Sequence, residues 1–256
     1  MELFLVPSGQ IMQVFSGHTG PVQAGTFTPD GKRLLTASED GSLILWDPRT
    51  ASPIWKLSAE DARFGIANGI TSLAVNAAGT VAVAGGANGE VRVININKGE
   101  VLGKLEGHSE GESIEAIEFL ELGGGSANAG IVATGGTDGR VCIWDLTTMR
   151  LRVSVSHSVS RENHIILFWI ARLITGLRQG SITSLAPHTA PKTHLITSAS
   201  ADRSLKTWDA RSGSLLREHT GHHGLINAVT IGLGAGGKDV LLSAGDEGVC
   251  LVYDVE

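Results

Sequence analysis

Three residue types recur together along this sequence: an imidazole, a hydroxyl and a carboxylate. His18, Thr36 and Asp40 form one set, His108, Thr134 and Asp138 a second, and His157, Ser198 and Asp202 a third. His222 and Ser243 begin a fourth, with Glu247 in the carboxylate place. Such a trio is the equipment of nucleophilic hydrolysis, in which a carboxylate orients an imidazole that takes the proton of a hydroxyl. A reaction needs that equipment once, whereas here it returns unit after unit. The repetition points to structure instead, because a buried polar chain whose members all have partners stiffens the element that carries it. Other chemistry is no better supplied. There is no glycine-rich phosphate loop at a strand-to-helix junction, and no metal-ligand cluster beyond the adjacent His222 and His223. No catalytic residue, metal site or cofactor is expected, and the chain reads as non-enzymatic.

The segments that must position these residues repeat as well. Five read "LLTASEDGSLILWD" (34–47), "VAVAGGANGEVRVIN" (81–95), "IVATGGTDGRVCIWD" (131–145), "LITSASADRSLKTWD" (195–209) and "LLSAGDEGVCLVYD" (241–254). Each is an apolar run, a turn usually carrying Asp and Gly, and a second apolar run, which is the pattern of a β-hairpin. A further strand lies upstream of most, as in "VQAGTF" (22–27) and "ITSLAV" (70–75), and another downstream, as in "SPIWKL" (52–57) and "EVLGKL" (100–105). Composition agrees. With 256 residues, 42% hydrophobic, 34 Gly and only 5% aromatic, the chain can bury a full core from many short strands, so the class is all-β.

Four strands per unit, with Gly-His ahead of several (Gly17-His18, Gly107-His108, Gly221-His222), resemble the WD40 repeats that form the blades of a β-propeller. The resemblance implies a hydrogen-bonded tetrad in each blade: His from the entry loop, Ser or Thr from the second strand, Asp from the hairpin turn and Trp from the third strand. The first blade supplies His18, Thr36, Asp40 and Trp46, the third His108, Thr134, Asp138 and Trp144, and the fourth His157, Ser198, Asp202 and Trp208. The fifth has His222 and Ser243, with Glu247 for Asp and Tyr253 for Trp. The second has lost the set, with Ala84, Asn88 and Ile94 at the matching places.

The order of loops and the tetrad-poor second blade narrow the resemblance. "PSGQIMQVFSG", "PDGKRLLTASEDGSLILWD", the "SIEAIEF" strand behind an acidic loop, and "WDARSGSLLREHTGH" resemble the angio-associated migratory cell protein family, which includes a dedicated chaperone of a large-subunit ribosomal protein. The family is eight-bladed, so the resemblance implies that residues 1–256 are a single propeller domain of about five blades, a fragment entering inside the third blade. "ELFLV" (2–6) and "QIMQVF" (10–15) then read as the last two strands of a blade. In the alternative, a five-bladed ring, Gln10 to Phe15 would complete the last blade and leave Glu2 to Val6 unpaired.

One interval breaks the rhythm. The hairpin ends Asp47, Asn95, Asp145, Asp209 and Asp254 are 48, 50, 64 and 45 residues apart, against roughly 40–45 for repeats of this kind. Residues 159–179, "VSRENHIILFWIARLITGLRQ", account for the excess. Without these 21 residues the interval of 64 becomes 43. A membrane span needs about 20 apolar residues, and the apolar stretch here is 14 long and contains Arg172. A docking helix could place Ile165, Phe168, Trp169, Leu173 and Ile174 on one face. The preferred reading is a retained intron, because the segment starts Val159-Ser160 and ends Gln179, as in-frame splice boundaries would read.

Charge narrows the partner. A net charge of −6 is wrong for a nucleic-acid surface, which needs cations against phosphates. Cys142 and Cys250 are too far apart in sequence to suggest a disulfide framework or a zinc site. The first residues, "MELFLVPSGQ", lack the cationic and long apolar parts of a secretory signal, so a monomer in cytoplasm or nucleus, away from membranes, is expected. In a propeller the inter-blade loops and hairpin turns share one face. Here they carry Glu39, Asp40, Glu60, Asp61, Glu106, Glu110, Glu112, Asp246 and Glu247 against Arg63, Arg140 and Arg203. An acidic face of this kind would steer a basic partner. The family resemblance implies that the partner is the basic N-terminal segment of a newly made ribosomal protein, shielded until large-subunit assembly. Trp46-Asp47-Pro48-Arg49 and Trp208-Asp209-Ala210-Arg211 support an alternative. They resemble the WDxR motif of cullin-RING ubiquitin ligase substrate receptors, which would make Arg49 and Arg211 adaptor contacts.

Overall fold

The computed structural model describes residues 1–5, 8–122, 130–157, 180–234 and 239–255. Among them every regular element is a β-strand. β1 (Glu2–Leu5) and β2 (Gln10–Val14) form an antiparallel pair. The first blade is β3 (Val22–Phe27), β4 (Leu34–Ser38), β5 (Leu43–Asp47) and β6 (Ser52–Leu57). The second is β7 (Ile70–Val75), β8 (Val81–Gly86), β9 (Val91–Asn95) and β10 (Glu100–Leu105). The third is β11 (Ile114–Leu120), β12 (Ile131–Gly136), β13 (Arg140–Asp145) and β14 (Arg150–Ser156). The fourth is β15 (Ile182–Pro187), β16 (Leu195–Ser200), β17 (Leu205–Asp209) and β18 (Leu215–His219). β19 (Ile226–Leu233), β20 (Asp239–Gly245) and β21 (Cys250–Asp254) make a three-stranded fifth. All pair in sequence order, antiparallel, as the repeat predicts.

Burial explains why the middle strands read as unbroken apolar runs rather than alternating ones. Every residue of β4, β12 and β16 is buried, because each of these strands is covered on both faces by neighbouring blades, and both faces must then be apolar or satisfied. The outer strands β6, β14 and β18 are largely exposed. The core lies between blades. Leu35 and Leu45 of the first pack with Ile70 and Ile94 of the second, Val83 and Val93 of the second with Ile117 and Trp144 of the third, and Ile143 with Leu185 and Trp208 across the next seam. The first strands follow one another, β3 on β7, β7 on β11, β11 on β15 and β15 on β19.

A second repeat is invisible in composition. In all five first strands the register slips at the second residue, at Gln23, Thr71, Glu115, Thr183 and Asn227. A bulge leaves its residue out of the ladder and re-aims its side chain. Thr71 and Thr183 use this freedom to donate to the first-strand carbonyl of the next blade, Ile114 at 2.7 Å and Ile226 at 2.5 Å.

The N-terminal pieces differ from the five-bladed-ring expectation. β2 pairs with β1 rather than with β21, in the register Glu2↔Val14 and Leu5↔Gln10. This hairpin leans on the first blade, where the Phe15 ring meets Trp46 edge-on with centroids 5.5 Å apart. The expected insertion at 159–179 lies outside the described residues.

Candidate functional site

The tetrads form as hydrogen-bonded chains. In the third blade Trp144 Nε1 donates to Thr134 Oγ1 (2.8 Å), His108 Nε2 meets the same hydroxyl (2.7 Å), and His108 Nδ1 lies 3.1 Å from both oxygens of Asp138. In the fourth, Trp208 donates to Ser198 (2.9 Å), His157 Nε2 lies 2.7 Å from Ser198, and His157 Nδ1 lies 3.0 Å from Asp202. The hydroxyl cannot act as a nucleophile there, since it is buried beneath an indole and already engaged on both sides. These sets hold blades and do no chemistry visible in their geometry.

The first blade departs from the expected pattern. Trp46 donates to Thr36 (2.8 Å) and His18 Nε2 reaches Thr36 (2.7 Å), but Ser42 stands between His18 Nδ1 (2.7 Å) and Asp40 (2.5 Å). The direct His18 to Asp40 distance is 3.6 Å. That one serine changes the charge state. At His18, burial favours the neutral ring and the set-back Asp40 offsets it only in part, so its pKa falls. At His108 burial acts in the same direction, but the direct Asp138 bond, helped by Cys142, outweighs it and lifts the ring to about 9. His108 is therefore charged at neutral pH, and both its nitrogens donate. Asp202 is also buried, yet the bonds from His157 and Ser204 hold its carboxyl down to about 2. Ser42 and Ser204 were legible only as ordinary turn residues.

The second blade fills the tetrad site with hydrocarbon. Phe64 and Ile66, in the loop ahead of β7, are fully buried with Ile70, Ala82, Ala84 and Ile94. Composition showed the loss of the set but not this plug. In the fifth blade Glu247 takes the carboxylate role, 2.5 Å from His222 Nδ1, and His222 Nε2 lies 2.6 Å from Ser243. Tyr253 is a partial substitute for tryptophan: its hydroxyl lies against Ser243 and donates at 3.4 Å to the Thr220 carbonyl.

The hairpin turns and inter-blade loops interleave on one face, as expected. A Cβ on Gly41, at φ +73°, would lie 2.5 Å from the Ile66 carbonyl, and one on Gly89 2.7 Å from that of Ser109. Each turn thus abuts the loop that enters the next blade, and only glycine permits that approach in a left-handed conformation. Of the acidic residues expected on this face, Glu39, Glu60, Asp61, Glu106, Glu110, Asp246 and Glu247 are exposed. Glu112 is not. It is 8% exposed and accepts from Thr137 Oγ1 (2.9 Å), so it supports the entry of the third blade instead of facing solvent. Several others are partly committed: Glu39 to Gln23, Asp61 to the Ser58 amide, Glu106 to Lys104 and Glu247 to His222. Glu60, Glu110 and Asp246 make no ion pair with a described residue and form the open part of the acidic face. On the opposite side, Arg49 is 86% exposed but turned back onto Asp47 (3.2 Å), and the Arg211 amide bonds Asp209 (2.8 Å).

The family model of the WD domain, G-beta repeat, matches residues 9–47, 99–145 and 172–209. An uncharacterized WD repeat-containing protein of Schizosaccharomyces pombe is 35% identical over 98% of this chain and 56% of its own length. The angio-associated migratory cell protein of Homo sapiens is 28% identical over 86% of this chain and 46% of its own. The chain spans about half the length of these curated relatives. Among solved structures, Chaetomium thermophilum Sqt1 superposes with a TM-score of 0.75 at 27% identity, covering 97% of this chain and 62% of that one. Sqt1 bound to the N-terminus of the ribosomal protein L10 gives 0.73 at 28% identity, over 96% and 61%. Repeat spacing, sheet order, tetrad bonds and these likenesses converge: the chain carries WD40 repeats folded as β-propeller blades, similar to angio-associated migratory cell protein and to Sqt1.

Proposed function

We propose that this chain is a non-enzymatic protein-binding scaffold whose acidic inter-blade face takes a basic segment of a newly made ribosomal protein, as a dedicated chaperone for large-subunit assembly. The observation that carries the reading is the likeness to Sqt1 in its complex with the N-terminus of the ribosomal protein L10, joined to an exposed face on which Glu60, Glu110 and Asp246 pair with no cation among the described residues. Such a face attracts a basic peptide before contact and orients it on arrival. Covering the segment would keep it from stray RNA contacts in the cytoplasm.

The test is titration of the full chain with a synthetic basic peptide from the N-terminus of L10. Reversing three exposed rim charges, in Glu60→Lys, Glu110→Lys and Asp246→Lys together, should weaken binding about tenfold or more, chiefly through slower association. The loss should shrink as salt shortens the reach of the field. Arg49→Ala, on the other face, should change nothing. An unchanged affinity in the triple variant, or no binding by the parent chain, refutes the proposal.

A further inference from the structure

The first strands line a cavity of about 260 Å3 that opens broadly to solvent between β7, β11 and β15. Its lining is charged on one side only. β3, β7, β15 and β19 carry no ionisable residue, whereas β11 carries two, Glu115 and Glu118. Glu115 is the bulge residue of its blade, so its side chain is freed from the ladder and turned toward the cavity it lines. Its counterparts Thr71 and Thr183 line the same space but give their hydroxyl protons to the next blade. A carboxylate has no proton to give, and Glu115 makes no bond or ion pair with a described residue.

Glu118 is half-buried and likewise makes no ion pair with a described residue. The elements packed against β11 are β7, β8, β12 and β15, and none contains an ionisable side chain. Glu115 is the one other titratable group on these strands. Burial therefore acts on Glu118 unopposed and raises its carboxyl to about 6. Part-buried Leu73, with the edge of Leu185 (4% exposed), forms the apolar wall beside the two acids.

Resting on the proposed function, we infer that this cavity receives one lysine or arginine side chain of the bound segment, its charged head against Glu115 and Glu118 and its stem along Leu73 and Leu185. The cation supplies the missing counter-charge, and the methylene stem covers the apolar wall, the arrangement that long basic side chains favour. The cavity then sets register: the rim attracts a basic segment, and one position of it is held.

Two kinds of probe test this on the full chain: the basic L10 peptide, and n-butylammonium and n-butylguanidinium, which reproduce the head and stem of lysine and arginine. Carboxyl-carbon NMR should show either small cation lowering the pH at which Glu118 titrates, and the two cations tell a lysine site from an arginine site. Glu118→Gln should weaken the peptide about tenfold at neutral pH, the scale of one charge-assisted contact. Replacing one particular basic residue of the peptide by alanine should cost the same factor in the parent chain and nothing more in Glu118→Gln. Parent affinity should fall up to about tenfold per pH unit below about 6, since Glu118 must first give up a proton, while the variant stays flat. Glu118→Gln removes a half-buried charge, so it should melt no lower than the parent, and a lower melt would contradict an uncompensated charge. Peptide binding indifferent to Glu118→Gln, with no response of Glu118 to either cation, overturns the inference and leaves the proposed function standing. A Glu118 response to the small cations without peptide binding supports the cavity's ligand class and overturns the proposed function. Silence from all probes overturns both.

Discussion

Asp138→Asn is the sharpest perturbation of the tetrads, because it changes one atom and leaves His108 in place. The side chains of His108 and Asp138 are 0% and 3% exposed, so water cannot replace what is lost. Asp138 accepts from His108 Nδ1 and from the amides of Ser109 and Arg140, each at 3.0 to 3.1 Å. An asparagine keeps one acceptor and turns an N–H pair toward groups that also donate. Two independent routes give the magnitude. Lifting His108 from 6.5 to about 9 corresponds to about 3 kcal/mol, and breaking a buried ion pair by removing one charge costs about 3–5 kcal/mol. Urea unfolding followed by the fluorescence of Trp144, which shares the tetrad, should therefore show a loss of about 3 kcal/mol at pH 6. The pH dependence has a definite sign. A raised histidine stabilises fully below its unfolded value and loses that contribution as pH rises through the folded one, so the gap between parent and variant should close between about pH 6.5 and 9. A gap below about 0.5 kcal/mol, or one that does not narrow with rising pH, would refute the charged-histidine account.

Two further substitutions probe how each blade is held. Phe64→Ala empties the plug of the second blade and should cost about 3–5 kcal/mol in the same unfolding assay, whereas a loop residue of no structural weight would cost almost nothing. Ser42→Ala should cost about 1–3 kcal/mol by leaving His18 Nδ1 without its partner, and clearly more than Ser204→Ala, since His157 bonds Asp202 directly. Equal losses at the two serines, measured by the shift in urea midpoint, would show that Ser42 is not a bridge.

The blades were legible because their signal is repeated and local: paired apolar runs and turn chemistry recur in each unit, and the aromatic-Asp ending in four of the five. What escaped lies between units. Phe64 and Ile66 read as loop residues, and only the neighbouring blade makes them core. Glu112 belonged by type to the acidic face, but its burial depends on a hydroxyl 25 residues away, Thr137. Ser42 followed an Asp-Gly turn in the ordinary way, and its interposition depends on where the entry loop places His18. The bulge at Glu115 left no trace in residue type, because a register slip is a property of the paired strand. Of the acidic loop positions read from the sequence, seven are exposed, while Glu112 is buried and Asp40 is drawn into the first tetrad.

The hydrocarbon plug of the second blade has a bearing on how such a sequence can change. Losing one tetrad member leaves buried polar atoms without partners, so single steps away from the full set pass through weakened intermediates. The second blade stands on the far side of that valley, with its imidazole, hydroxyl and indole absent, Asn88 in the carboxylate place bonded to the Gly111 amide, and the space refilled by Phe64 and Ile66. The fifth shows the reach of side-chain exchange short of crossing, since Glu247 and Tyr253 still give every partner a bond. Blades of this chain therefore occupy two separate basins of sequence, and grafting Phe64 and Ile66 into a tetrad blade without clearing its polar set should yield neither.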